Sequence, residues 1–279
     1  MDNKFLTTDG LTLSVRRWEA VGTPHAVIAL VHGIGEHCER YAQFSLDMNA
    51  FGYEVVGFDQ RGHGLSEGPR GHTPSLQRWM EDMNCFLGHV RQRAFKYLPI
   101  FLFGHSLGGA QVLNYILRYP HQQIGAIVCS PYLRTAFKVP RWKRILGLLM
   151  AKILPKISLA SGLEVNMISR IPAIIEAYKV DPLNHDRISA GTYLSMIQAG
   201  QWALLHAQEL KIPLRLFHGT EDHITDCLAS REFSNKAGDL CLFTSINGGY
   251  HELLNDLCRE QILEEIHQFM DRELNRLQS

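Results

Sequence analysis

Residues 100–109 read Ile-Phe-Leu-Phe-Gly-His-Ser-Leu-Gly-Gly, and this stretch decides the fold. Its four leading apolar residues predict a buried strand, and the amphipathic run Gly109–Tyr119 predicts a helix directly afterwards. Between them Ser106 stands in a G-x-S-x-G pattern, whose glycines let the chain turn sharply from strand into helix. This context favours a nucleophilic serine with an exposed hydroxyl over the alternative, an ordinary turn serine.

Short apolar runs recur on both sides of this stretch and alternate with helix-like segments. Runs that are apolar on both faces are expected where helices cover both sides of a parallel sheet. The predicted buried strands are Ala26–Val31, Tyr53–Phe58, Ile100–Phe103, Gly125–Cys129, Leu214–Phe217 and Leu240–Thr244. Near the N-terminus, Asp9-Gly10 separates Phe5–Thr8 from Leu11–Val15 and predicts a hairpin turn in which both residues have positive φ. The sequence therefore predicts an α/β fold with a mostly parallel sheet flanked by helices.

The stretch from about Tyr132 to His206 breaks this alternation. It is mainly helical in character and lies between two strands that would otherwise be near neighbours. A second clear helix is predicted for Leu257–Leu277. We therefore expect a single α/β domain over residues 1–279, with an inserted helical cap at about 132–206.

Composition excludes several classes of protein. Lys plus Arg and Asp plus Glu number 28 each, so the chain lacks the positive field that nucleic-acid binding requires. The six cysteines are scattered without a C-x-x-C pair, which argues against a zinc site and for reduced thiols. No signal-peptide pattern and no membrane-spanning apolar run occurs, so we expect a soluble cytoplasmic protein.

A nucleophilic serine needs a base to take its proton and a carboxylate to orient that base. With G-x-S-x-G the acid and the histidine follow the serine in that order. Asp222 comes just after the strand Leu214–Phe217, at the sheet edge where α/β folds collect functional groups. Glu221 and Asp226 are the alternative acids, and a loop aspartate that bonds its own turn is a further one.

The base is predicted from its position. The chain has 14 histidines, and most histidines are surface or core residues. His251 lies in the loop between the last predicted strand and the C-terminal helix, where the base is expected.

Attack on a carbonyl creates an oxyanion, which two backbone N–H groups should stabilise. One is predicted to be that of Leu107, directly after the nucleophile. The second should come from the loop after Ala26–Val31, and the N–H of Ile34 is the candidate. His32 and Gly33 in the same loop are expected mainly to shape the turn.

With these residues placed, the chain resembles the monoacylglycerol lipase and lysophospholipase branch of the α/β-hydrolase superfamily along nearly its full length. The residues that carry the resemblance are His32-Gly33-Ile34-Gly35-Glu36-His37 with Arg40-Tyr41, Asp59-Gln60-Arg61-Gly62-His63-Gly64-Leu65-Ser66, and Asp181-Pro182-Leu183. There are departures: Leu107 stands where monoacylglycerol lipases usually have Met, and the cap matches the branch poorly beyond its length and position.

The resemblance implies an α/β-hydrolase fold with a cap over an acyl-chain tunnel, and no metal or organic cofactor. It also implies a polar head-group site near the oxyanion loop, with Gly33, Glu36 and Arg40 as substrate-binding residues. For Glu36 and Arg40, a solvated ion pair on the first turn of a helix is an equal alternative.

The function predicted on these grounds is a serine hydrolase that cleaves the carboxylic ester of a single-chain lipid, with monoacylglycerol placed first. A lysophospholipid or a general carboxylic ester is the alternative substrate. A peptidase is a further possibility because the same triad serves amides, and so is a non-catalytic binding module.

The predicted cap also carries a basic and apolar stretch. Its cations are Arg134, Lys138, Arg141, Lys143, Arg144, Lys152 and Lys156, and apolar side chains lie between them. Such a stretch can lie in a membrane interface, which would make the protein a peripheral membrane protein. The equal alternative is a cap helix whose apolar face covers the active site while its lysines are solvated.

Overall fold

The computed structural model describes residues 3–92, 95–120 and 123–278, without the side chains at 141, 143, 144 and 278. The strands of this part are β1 (Lys4–Leu6), β2 (Thr12–Trp18), β3 (Ala26–Val31), β4 (Tyr53–Phe58), β5 (Ile100–His105), β6 (Gly125–Cys129), β7 (Ser158–Ala160), β8 (Arg187–Ser189), β9 (Leu214–Gly219) and β10 (Cys241–Ile246). Eight of them form one sheet in the order β1-β2-β4-β3-β5-β6-β9-β10. In this sheet β2 runs antiparallel to both of its neighbours, β1 and β4, and the six strands from β4 to β10 run parallel to one another.

Helices cover both faces of this sheet. The helices of the described part of the chain are α1 (Ala42–Ala50), α2 (Leu76–Arg91), α3 (Leu107–Arg118), α4 (Arg141–Ile153), α5 (Pro172–Val180), α6 (Ala190–His206), α7 (Cys227–Ala237) and α8 (Arg259–Gln278). No helix among the residues described is long and apolar enough to cross a membrane.

The central strands show why apolar runs form this sheet. In β3, Val27, Ala29 and Val31 pack into the core beneath α2, α3, α6 and α7. The alternating residues of the same strand pack into a second core beneath α1 and α8. Because successive side chains point to opposite faces, a strand covered on both sides has to be apolar throughout.

The predicted fold class, a mostly parallel sheet flanked by helices, is confirmed. The prediction of two positive φ angles in the N-terminal turn is wrong: Gly10 has a φ of 87°, and Asp9 is not among the residues with positive φ. Asp9 instead accepts hydrogen bonds from Thr7 and from Arg61, at 2.7 Å and 3.0–3.1 Å. A longer turn therefore connects β1 and β2, and a distant arginine holds it.

Strands β6 and β9 are neighbours in the sheet, but a long stretch of chain separates them in the sequence. It holds α4, α5 and α6 together with the two-stranded antiparallel sheet of β7 and β8. Its contacts with the core include the carboxylate of Asp181, which lies 2.9 Å from His37 Nε2. The backbone N–H of His185 donates to the Gly35 carbonyl at 2.9 Å.

Candidate active site

Ser106 lies at the sharp turn between β5 and α3, with a φ of 52° and a ψ of −115°. The turn requires glycine on both sides of the serine. A Cβ at Gly104 would lie 2.6 Å from the Gly108 carbonyl oxygen, and a Cβ at Gly108 would lie 2.2 Å from that of Val31. The strand can therefore bend into the helix only where these side chains are missing.

Asp222 and His251 approach each other at the same edge of the sheet. Asp222 lies in the loop after β9, and His251 lies in the loop after β10, the neighbouring parallel strand. His251 Nδ1 is 2.7 Å from Asp222 Oδ2, and both side chains are buried. Because a carboxylate can only accept, Nδ1 carries the proton and Nε2 is left free to act as a base.

Burial and charge set the protonation of this pair. Burial lowers the pKa of the His251 imidazole, but the adjacent Asp222 carboxylate more than offsets this and raises the pKa above its ordinary value. Burial likewise raises the pKa of Asp222, and its histidine neighbours reverse that effect, so the pKa lies well below the usual range. Asp222 is therefore ionised wherever His251 is neutral.

Ser106 and His251 line one cavity of about 750 Å³. In the described part of the chain no hydrogen bond joins the Ser106 hydroxyl to the His251 ring. Catalytic hydrogen bonds are often long in unliganded enzymes and shorten when substrate binds. The ring of His105 also faces His251, with centroids 4.7 Å apart, and burial lowers the pKa of His105 to about 4. His105 is therefore neutral near pH 7.

Two backbone N–H groups beside Ser106 are available to an oxyanion. Those of Ile34 and Leu107 take part in none of the hydrogen bonds in the residues described. The N–H of Gly33 is different, because it donates to Glu36 Oε1 at 2.6 Å. A Cβ at Gly33 would lie 3.3 Å from Ser106 Cβ, so this glycine lets the loop approach the serine closely.

Glu36, Arg40 and Glu252 form a buried ion cluster behind this loop. Arg40 donates to Glu36 Oε2 at 2.5 Å and to both carboxylate oxygens of Glu252 at 2.7 and 2.8 Å. The ring of Tyr178, from α5, covers the guanidinium at 4.5 Å. Burial opposes ionisation of Glu36, but Arg40 outweighs it and lowers the pKa of Glu36 to about 2. The cluster joins the oxyanion loop to the loop that carries His251.

Of the predicted substrate-binding residues, Gly33 and Glu36 line the cavity and Arg40 lies behind its wall. The rest of the lining is largely apolar and comes from the interval between β6 and β9. Its members include Phe137, Val139, Met150, Ile157, Leu159, Met167, Ile168, Ile188 and Met196. The site therefore combines a polar end near Ser106 with an apolar chamber.

The two alternative acids occupy other environments. Asp226 caps α7 by accepting from the N–H of Leu228 at 2.9 Å, and it pairs with Arg134. Glu221 is exposed. The structure thus brings Asp222, and neither alternative, to His251.

Sequence reasoning missed three residues of the site: His218, Thr225 and Glu252. Thr225 donates its hydroxyl to Asp222 Oδ2 at 2.8 Å, and His218 Nε2 lies 3.2 Å from the same oxygen. His218 and Thr225 stand four positions before and three after Asp222, which is the one signal that could have suggested them. Glu252 directly follows His251, but its partner Arg40 is 212 positions away.

The sheet order, the serine at the turn after a central strand and the Asp–His pair at the same edge together define the class of protein. The chain is an α/β-hydrolase with the site of a serine hydrolase. The solved structure of the Paleococcus ferrophilus monoacylglycerol lipase matches it with a TM-score of 0.86 and 32% sequence identity, covering 94% of this chain and 99% of that one.

Within this class, the chain belongs to the Hydrolase_4 family, described as serine aminopeptidase, S33, which matches residues 22–258. The monoacylglycerol lipase of Mycolicibacterium smegmatis is 28% identical over 95% of each chain. An uncharacterized abhydrolase domain-containing protein of Dictyostelium discoideum is 34% identical over 95% of this chain, which spans 28% of that protein's length. The predicted serine hydrolase and its resemblance to the monoacylglycerol lipase and lysophospholipase branch are confirmed.

Proposed function

We propose that this chain hydrolyses monoacylglycerols through an acyl-enzyme on Ser106. The observation that carries the proposal is the cavity of about 750 Å³, in which Ser106 and His251 adjoin a chamber lined largely by apolar side chains. Asp222 lies behind His251 and accepts a hydrogen bond from it. A chamber of this kind suits one fatty acyl chain, since burial of each CH₂ contributes about 0.8 kcal/mol. Two similar proteins named monoacylglycerol lipases support the same substrate.

In the proposed reaction, Ser106 Oγ attacks the ester carbonyl and its proton passes to His251 Nε2. The N–H groups of Leu107 and Ile34 stabilise the oxyanion, and Asp222 stabilises the imidazolium. As the ester C–O bond breaks, His251 returns the proton to the departing glycerol oxygen. Water then attacks the acyl-enzyme by the same route and releases the fatty acid and the free serine.

The charge of the polar end favours a glycerol head over a phosphate head. Glu36 and Glu252 line the cavity near Ser106. Arg40 contacts both carboxylates, but its single positive charge balances only one of the two negative charges. An uncharged diol can lie beside these carboxylates. The negative charge of a phosphate would be repelled by them, because charges in a buried site are poorly screened. We therefore place a monoacylglycerol ahead of a lysophospholipid as substrate.

We also propose that residues 1–279 form one α/β-hydrolase domain with a cap at about 132–206. In support, this interval supplies most of the apolar lining of the cavity, and it contacts the loop that carries Ile34. The contacts are those of Asp181 with His37 and of His185 with Gly35.

Hydrolysis assays with purified protein test the proposed function. We expect 1-monooleoylglycerol to be cleaved faster than lysophosphatidic acid of the same chain, and p-nitrophenyl esters to be cleaved faster as the acyl chain lengthens. Ser106→Ala should lower turnover by on the order of 10⁶ and abolish labelling by a fluorophosphonate. A short-chain optimum, preference for the phosphate head or cleavage of amino-acid anilides would contradict the proposed substrate, and an active Ser106→Ala would contradict the mechanism.

We further propose that the cap contacts a lipid surface through an apolar patch on α4. The cap patch consists of Trp142, Ile145, Leu149 and Ile153, which share one face of the helix and are 51–71% exposed. Met150 of the same helix lines the cavity, as do the exposed side chains of Phe137 and Leu159, so α4 lies beside the cavity. The exposed side chains of Lys138, Lys152 and Lys156 add positive charge for anionic head groups. Arg141, Lys143 and Arg144, predicted to share this role, have side chains outside the described residues.

A further inference from the structure

Asp222 accepts more hydrogen bonds than its role in a catalytic triad requires. Its Oδ1 accepts the backbone N–H groups of Ile224 and Thr225, at 2.8 and 2.9 Å. Its Oδ2 accepts from His251 Nδ1 at 2.7 Å and from the Thr225 hydroxyl at 2.8 Å. A second imidazole, that of His218, places Nε2 3.2 Å from the same Oδ2. One carboxylate oxygen therefore faces two histidines.

The surroundings of His218 fix which ring nitrogen carries a proton. The ring lies at the end of β9 with no exposed surface. Nε2 faces two groups that only accept: the Thr225 carbonyl at 3.1 Å and Asp222 Oδ2 at 3.2 Å. An unprotonated Nε2 would be repelled by both, so Nε2 carries a hydrogen. Nδ1 then accepts from the Ser230 hydroxyl, 2.7 Å away.

We propose that His218 is a positioning residue of the triad, whose Nε2–H shares the Oδ2 atom of Asp222 with His251 while Ser230 fixes its tautomer. The proposal rests on the proposed function, because it assigns a role in that reaction. Two effects follow from the geometry. The N–H holds the Thr225 carbonyl, and with it the turn from Asp222 to Thr225. It also draws part of the carboxylate charge away from His251.

These two effects move the pKa of His251 in opposite directions when His218 is removed. If the turn keeps its place, the Oδ2 charge acts more strongly on His251, so the pKa of His251 rises. If the turn loosens, the carboxylate retreats from a buried imidazole and the pKa of His251 falls. The other titratable groups that face His251 are Glu36, Glu252 and His105. Among the described residues, none of these three groups forms a hydrogen bond with His218.

The test compares His218→Leu with His218→Gln on a soluble medium-chain p-nitrophenyl ester. We expect His218→Leu to lower kcat by about tenfold or more, the worth of a hydrogen bond to a charged group. KM should stay within about twofold, because His218 does not line the cavity. The acid limb of kcat/KM should move, to higher pH if the turn keeps its place and to lower pH if the turn loosens. His218→Gln keeps an amide N–H near Nε2 and should recover most of the activity.

Two further variants separate positioning from general packing. Ser230→Ala should give a smaller loss than His218→Leu, with the acid limb moved the same way. It should add little when combined with His218→Leu, because the two side chains act as one unit. His63→Leu removes another buried ring, which forms no hydrogen bond with Asp222 or His251 among the described residues, and should leave the acid limb unchanged. Ser230→Ala and His218→Gln keep the test decisive if His218→Leu does not fold.

The proposal is overturned if kcat of His218→Leu stays within about twofold of the wild type. It is also overturned if kcat falls while the acid limb stays in place, because that result describes a packing role. These outcomes are distinct from failure of the proposed function, in which the wild type itself would not cleave esters, or Ser106→Ala would remain active.

Discussion

At the scale of single residues, two serines hold positive φ angles that L-residues seldom adopt. Ser106 has a φ of 52° and Ser130 a φ of 46°, at the carboxyl ends of the adjacent strands β5 and β6. Each such conformation costs about 1–3 kcal/mol and persists only where the surroundings hold it. Two backbone hydrogen bonds hold Ser106 in this conformation. Its N–H donates to the Cys129 carbonyl, and its own carbonyl accepts from the N–H of Tyr132. Folding therefore holds Ser106, the proposed nucleophile, in place before any substrate binds.

The choice of acid can be tested by three matched substitutions. Asp222→Asn keeps the size of the side chain but allows an N–H to face His251, which favours the wrong tautomer of the base. We expect kcat to fall by about 10⁴ with the fold intact. Glu221→Gln and Asp226→Asn should each change kcat by less than about threefold, since neither residue contacts His251. Loss of activity in either of these, with an active Asp222→Asn, would move the acid elsewhere.

The pH dependence of the reaction follows from the same pair. His251 must be neutral to accept the serine proton, and its pKa is raised above the ordinary value of about 6.5. Activity should therefore be complete above the pKa of His251 and be lost as the pH falls through it. We expect the acid limb of kcat/KM to have its midpoint above pH 6.5 or so. His105, with a pKa of about 4, titrates too low to supply this limb. A limb centred near pH 4 would contradict the assignment.

At the scale of elements, local sequence predicts the features that depend only on one strand and the turn that follows it. The strands of the sheet and the places of Ser106, Asp222 and His251 are of this kind, because each residue follows a strand end. The errors come from contacts between distant elements. Asp9 is drawn to Arg61 and the hairpin turn lengthens, and Arg40 pairs with Glu252 across 212 positions. No local pattern encodes such pairs.

Arg40 joins the oxyanion loop to the loop that carries His251. Measurements of stability and activity can distinguish this structural role from binding of a head group. Arg40→Lys keeps the charge but loses the two-pronged contact with Glu252. We expect the free energy of unfolding to fall by about 1–3 kcal/mol and kcat to fall, because Glu36 also holds the N–H of Gly33. Urea unfolding and steady-state kinetics measure both. The exposed pair of Arg16 with Glu39 is the control, where Arg16→Lys should cost less than about 1 kcal/mol.

The opposite pattern would support a different role. A raised KM with an unchanged free energy of unfolding would mean that Arg40 contacts the substrate directly. That result would restore the head-group interpretation drawn from the sequence.

At the scale of the whole molecule, the fold divides the work between two parts. The parallel sheet brings the ends of β5, β9 and β10 to one edge and so fixes the reacting groups. The interval between β6 and β9 adds the apolar chamber and the exposed cap patch. The reaction depends on motifs at the strand ends, whereas the chamber depends on how the helices of this interval pack, so the reaction could be predicted from the sequence more firmly than the shape of the chamber.

The cap patch makes a prediction about the molecule as a whole. Ile145→Glu with Leu149→Glu should weaken binding to phosphatidylcholine–phosphatidylserine vesicles by about tenfold or more, because each apolar side chain contributes about 1.5–3 kcal/mol when buried. Co-sedimentation with vesicles measures the bound fraction. The wild type should also bind less at high salt, since the lysines beside the patch act through screened charge.

Activity distinguishes a docking surface from a structural one. If the cap patch serves only to meet lipid, the double variant should cleave a soluble p-nitrophenyl ester at the wild-type rate and lose activity only on monoacylglycerol held in vesicles. Val21→Glu with Leu277→Glu is the matched control, because both residues are exposed apolar side chains outside the cap. Equal loss on both substrates would show that α4 shapes the chamber instead, and unchanged vesicle binding would remove the lipid surface as the partner of the patch.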